Sequence, residues 1–153
     1  MRLLRLVLAA ALLAGTVGCN AASPSNGPTT PAGSPSPTNS DEWPESRVFK
    51  SSGITENGAP KTFSPSSDVT LHFGPEGEFT VYGGCHTLTV TAAIEDSQIV
   101  VEQVVASDDS CPAAFAQKDE WLEAFFTASP QWSLIGDELT LTTETAEIAF
   151  SEL

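Results

Sequence analysis

Apolar residues alternate with polar ones through most of the second half of the chain. Val69, Leu71 and Phe73 are separated by Thr70 and His72, the period-two pattern of a strand buried on one face. Pro75-Glu76-Gly77 makes a turn, and Phe79 and Val81 resume the alternation around Thr80. Gly83-Gly84 then interrupts the run, which signals a bulge or a close backbone approach. Leu88, Val90 and Ala92 follow, with Thr87, Thr89 and Thr91 on the other face. Glu95-Asp96-Ser97 turns the chain into Ile99, Val101 and Val104. Trp132 and Leu134, then Gly136-Asp137, then Leu139 and Leu141 predict a hairpin with a tight type II′ turn. Ile148 and Phe150 mark a last strand. An earlier strand is expected from Arg47 to Ser52, followed by a loop through Asn57-Gly58.

The period changes between Pro112 and Ser129. Ala114, Phe115, Trp121, Leu122, Phe125 and Phe126 fall at spacings of three, four and seven, while Lys118, Asp119, Glu120 and Glu123 fill a polar face. This predicts an amphipathic helix opened by Pro112 and closed by Pro130. Its wide aromatic stripe needs a large apolar surface to cover it. The expected fold is therefore α+β: a curved or partly closed antiparallel sheet of about eight short strands packed on one helix. Trp43, Trp121 and Trp132 read as core or core-edge residues rather than a ligand cage.

The first 40 residues obey neither pattern. Residues 1–18 have a short basic start with Arg2 and Arg5, an apolar stretch from Leu6 to Ala14, and small residues before Cys19. That is a secretory signal, too short to span a bilayer, which takes roughly 20 residues. Thr16-Val17-Gly18-Cys19 resembles a bacterial lipobox, with Thr16 where Leu is usual. Cys19 is thus the expected lipidation site; an ordinary secreted protein with a free thiol is the alternative. From Asn20 to Ser40 the chain holds five prolines and no charged, aromatic or branched aliphatic residue, so it cannot bury enough surface to fold. Residues 19–43 read as a lipidated cysteine with a flexible tether, and 44–153 as the folded domain.

The 153 residues carry 20 Asp+Glu against 6 Lys+Arg, a formal charge of −14, and every acid lies at or beyond Asp41. Losing Arg2 and Arg5 with the leader takes the charge to −16. Such a body excludes nucleic acid as a partner, and an anionic membrane surface would repel it without a tether. The expected location is the extracytoplasmic face of the cell membrane, reached through the lipid, with a monomer as the expected state.

Assigning Cys19 to lipid leaves Cys85 and Cys111 as one pair with none over. Outside the cytoplasm a structural disulfide is the expectation, pinning Gly83-Gly84 to the segment before the helix. The competing reading is a redox or metal pair with His86. Zinc would need two further ligands, and the only other histidine, His72, is 14 residues away on a strand.

Leu71-His72-Phe73, Gly84-Cys85-His86, the segment Ser107 to Cys111, the helix ending near Ala128, and Leu139-Thr140-Leu141 together resemble the META domain family, which includes HslJ-like heat-shock proteins. Arg47 through Pro60 resembles the opening of actinobacterial members, and the whole resemblance spans about residues 46–151. His86 replaces the family's Asn, and Ser107 and Asp109 replace its Thr-x-Met positions. That makes a more solvated loop or, if those positions line a binding surface, one with altered chemistry. The resemblance implies a loose link to stress response and no enzymatic activity.

Independent signs of chemistry are sparse. No D-x-D-x-D-G calcium loop accompanies Asp108-Asp109 or Asp119-Glu120, which read as solvated acids. Ser107, Ser110 and His86 lack a Gly-x-Ser-x-Gly elbow. No cofactor, metal or catalytic residue is expected. The leading expectation is a non-catalytic, lipid-anchored protein acting in envelope stress tolerance or partner binding. The alternative is a small-ligand or cation surface formed by His86, Asp108 and Asp109.

Overall fold

The computed structural model describes residues 41–153; the expected leader, Cys19 and the tether up to residue 40 lie outside the described residues. The strands are β1 (Val48–Glu56), β2 (Ala59–Pro60), β3 (Thr70–Phe73), β4 (Glu78–Tyr82), β5 (Thr87–Glu95), β6 (Gln98–Ala106), β7 (Gln131–Ile135), β8 (Glu138–Thr142) and β9 (Ala146–Glu152), with helix α1 (Ala113–Thr127) between β6 and β7. All pairings are antiparallel. They run β1-β3-β4-β5-β6-β7-β8-β9 and return to β1 through β1–β9, from Phe49↔Glu152 to Glu56↔Ala146. Eight strands thus close a barrel, with β2 as a short flap on β1.

Closure removes the exposed edges of an open sheet. It also explains the alternation. Leu71, Phe73, Phe79, Val81, Leu88, Val90, Leu139, Leu141, Ile148 and Phe150 are all buried, because inward residues of a small barrel fill its interior. The turns agree with their residues. Gly136 has φ +64 and Asp137 is not in the left-handed region, the type II′ pattern. Asp96 and Ser97 both have positive φ between Glu95 and Gln98, as a type I′ turn requires. Asn57-Gly58, expected as a loop, is the equally tight turn between β1 and β2.

The barrel has one thin seam. β6 and β7 pair only at Gln98↔Gln131, because α1 is inserted between them. The helix exit fills in: Ile99 N–H donates to Pro130 O, Val101 N–H to Ser129 Oγ, and Gln98 Nε2 to Ser129 O. Ser129 adopts φ +51 and donates its N–H to Phe126 O, a left-handed helix stop. Leu122, Phe125 and Phe126 are buried, and the Phe126 ring meets Phe79 edge-on at 5.5 Å. Trp132 is buried, and Trp43 and Trp121 pack against the core.

Of the two readings of Gly83-Gly84 the close approach holds, since a Cβ on Gly84 would collide with Asp119; the pair lies in the β4–β5 connection, and the bulge in β5 falls between Thr91 and Ala92. One expectation needs correction: the helix buries Leu122, Phe125 and Phe126 as expected, but its buried face is wider and takes in two charges assigned to the polar face. Lys118 and Asp119 are buried and Ala114 is exposed, because Lys118 lies three residues after Phe115 and four before Leu122. It therefore sits within the apolar stripe.

Candidate functional site

The two halves of α1 build two different environments. At its start the helix faces the Gly83–His86 connection. A Cβ on Gly84 would stand 1.6 Å from Asp119 Oδ1, so only glycine lets the carboxylate approach this backbone. The Cys85 N–H donates to Asp119 Oδ1 at 3.0 Å and lies 3.4 Å from Oδ2. Beside it, Lys118 Nζ donates to both the carbonyl and the hydroxyl of Ser67, and that hydroxyl donates to Gly83 O. Burial pushes the Lys118 amine below its ordinary range, opposed by the charges of Asp68 and Asp119. Among the described residues no buried side-chain polar atom lacks a partner, which is how a core tolerates such groups.

The Cys85–Cys111 disulfide spans this corner with Cα atoms 5.8 Å apart. His86 places Nδ1 3.3 Å from Asp119 Oδ2 and Nε2 3.2 Å from the carbonyl oxygen of Asp109. Asp108 and Asp109 are exposed, as solvated acids are, and of the alternative surface His86, Asp108 and Asp109 only His86 and Asp109 touch. Asp109 gives its carbonyl to His86 and its carboxylate to the Ser107 hydroxyl, which also accepts the Thr87 N–H. Asp108 and Ser110 are exposed on the same loop. The residue that sequence reasoning missed is Asp119, which takes the place at His86 expected of Asp108 and Asp109. The available signal was a charged pair, Lys118-Asp119, falling at the apolar register of the helix.

The second half of α1 borders a groove of about 760 Å³. Trp121 and Phe125, stacked at 5.4 Å, form its apolar side. Gln98, Gln131, Glu56 and the β8–β9 turn supply polar walls. Trp121 is held firmly: its Nε1–H donates to Glu56 Oε1 at 2.7 Å, and Phe63 meets its other flank at 5.4 Å. Lys61 pairs with Glu56 at 2.7 Å and lies 5.5 Å from the Trp121 ring centroid. Hydrogen bonds from Lys61, and then from Trp121, hold the Glu56 carboxyl below the usual range.

Residues 45–153 match the family model of the META domain. The chain belongs to the META domain family. Two solved structures share its architecture. An NMR structure of a protein from Burkholderia xenovorans aligns with a TM-score of 0.60 and 13% identity over 83% of this chain and 97% of that one. A second NMR structure aligns with a TM-score of 0.51 and 16% identity over 70% and 89%. At such identities the likeness is one of fold. A search of curated proteins found no match. In this META domain Gly84 is set by the Asp119 contact and Cys85 by the disulfide.

Proposed function

We propose that this META-domain protein is an HslJ-like, exported lipoprotein of the actinobacterial type. It is anchored through Cys19 to the extracytoplasmic face of the membrane and acts without catalysis, holding an envelope protein partner in stress tolerance. The observation that carries the binding role is the groove along Trp121 and Phe125. It combines an aromatic wall with amide, hydroxyl and carboxylate groups, the composition of a recognition site. The exposed carboxylate of Glu144, on a strongly acidic chain, favours a partner segment carrying Lys or Arg. The non-catalytic part of the proposal rests on the META resemblance, which implies no enzymatic activity, and on a sequence without a Gly-x-Ser-x-Gly elbow.

Photo-crosslinking in intact membranes tests the binding role. A photoreactive residue replacing Ala124, on the groove wall, should capture one discrete partner; the same residue replacing the exposed Tyr82 should not. Equal capture at both positions would remove the groove from the proposal. The anchor is tested separately, because Cys19→Ser should release the chain into the medium.

A further inference from the structure

The corner formed by His86, Asp119 and the disulfide has a feature that hydrogen bonding within the protein leaves incomplete. A carbonyl oxygen only accepts, so the contact from His86 Nε2 to Asp109 O places a hydrogen on Nε2. In the neutral ring Nδ1 is then a lone pair, and it faces a carboxylate oxygen of Asp119 at 3.3 Å. Two acceptors in that position call for a cation between them, either a proton or a metal ion. Orientation of a ligating histidine by a backbone carbonyl on its far nitrogen is the usual outer arrangement of metal sites.

Sulfur completes the donor set. Ligand atoms of His86, Cys111 and Asp119 lie within 4.8 Å of one another, and Cys85 is joined to Cys111. While the disulfide is intact neither sulfur is an anionic donor; after reduction both are. Around tetrahedral zinc, bonds of about 2.1 Å to nitrogen and oxygen and about 2.3 Å to sulfur separate the donors by roughly 3.4–3.8 Å. The observed 3.3 Å between His86 and Asp119 is close to that spacing. Cys111 sits half-buried between exposed Ser110 and Pro112. Two thiolates and one carboxylate leave a zinc site with one net negative charge.

We propose that reduction of the Cys85–Cys111 disulfide converts this corner into a zinc site with Cys85, Cys111, His86 and Asp119 as ligands. A phosphine, taking oxygen from water to become its oxide, or a dithiol, closing to its own disulfide, supplies two electrons and two protons, and the S–S bond becomes two thiols. Zinc then replaces the two thiol protons, which pass to solvent. Disulfide and zinc exclude each other, so zinc favours the reduced state by mass action. The site is independent of the groove and of its partner.

The test uses the full chain with Cys19→Ser, so that no third thiol competes, titrated with zinc before and after phosphine reduction. The reduced chain should bind one zinc, about a hundredfold tighter than the oxidised chain, releasing about two protons. Cobalt in place of zinc should give a thiolate charge-transfer band. Asp119→Asn keeps an acceptor for the Cys85 N–H and should weaken zinc binding at least about tenfold, as should His86→Ala. Should Asp119→Asn fail to fold by circular dichroism, His86→Ala decides alone. Equal affinity in both redox states, or zinc binding by the reduced chain that neither foldable variant weakens, would overturn the proposal.

Discussion

At its N-terminal half α1 buries charge, with Lys118 and Asp119 enclosed and bonded to the Ser67 and Cys85 backbones. Its C-terminal half, from Trp121 to Ala128, instead lines an open groove. One helix thus joins a closed, covalently pinned corner to an accessible surface. The difference follows from what each half meets. The first half meets the backbone of a glycine-containing connection and must satisfy its polar groups. The second half lies at the β6–β7 seam, where two strands touch at a single residue pair. Constraint and access are therefore separated along the same element.

Substitutions that unpin the closed corner should test this contrast most severely. Replacing Cys85 and Cys111 together by Ser releases a 26-residue separation and should cost about 3 kcal/mol in chemical denaturation, in the loop-entropy picture. A loss below about 1 kcal/mol would show that the corner is held by its hydrogen bonds instead. Gly84→Ala should cost about 2 kcal/mol, since the new Cβ displaces Asp119 from the Cys85 N–H. An unchanged melting temperature would mean that the carboxylate moves freely.

The two halves should also differ in their response to pH. Glu56, beside the groove, has a folded-state pKa below its unfolded value of about 4.3. Its contribution is present above that pH and is lost as pH falls through the lowered folded value. Glu56→Gln should flatten this acid limb of a melting-temperature profile. Lys118, in the closed corner, has a folded pKa below its unfolded value of about 10.4. The unfolded chain then holds more protons between those two values, so stability rises with pH across that window. Lys118→Met should remove the rise. Profiles unchanged by both variants would refute the electrostatic contrast. The smallest effect on stability belongs to the groove wall. Ala124→Arg, at an exposed position, should leave stability within about 0.5 kcal/mol while blocking partner capture.

Much of the fold was legible in local pattern. The alternation through Val69–Phe73 and Leu88–Ala92, the Gly136-Asp137 turn and the aromatic spacing of the helix each depend on residues within one or two turns of chain. The candidate site was half legible. Cysteine arithmetic paired Cys85 with Cys111, and the doublet Gly83-Gly84 announced a close approach without saying what approached. Asp119 stayed hidden because the helical period that assigned Phe115 and Leu122 to the core treated the charges between them as solvent-facing. Its partner, the Cys85 N–H, lies 34 residues away.

The sequence by itself determined which segments are strands, where the helix begins and ends, and that an acidic domain follows an uncharged stretch. These properties are set by neighbours along the chain through backbone preference and the burial period. Only tertiary structure decided that the sheet closes through β1 and β9, whose paired residues lie about a hundred positions apart. It also decided that Asp119 rests on Gly84 beside His86, and that a groove opens along Trp121. The physical reason is shared by all three. Each is a meeting of distant backbones, selected by how the whole interior packs, and no local window of the chain carries that information.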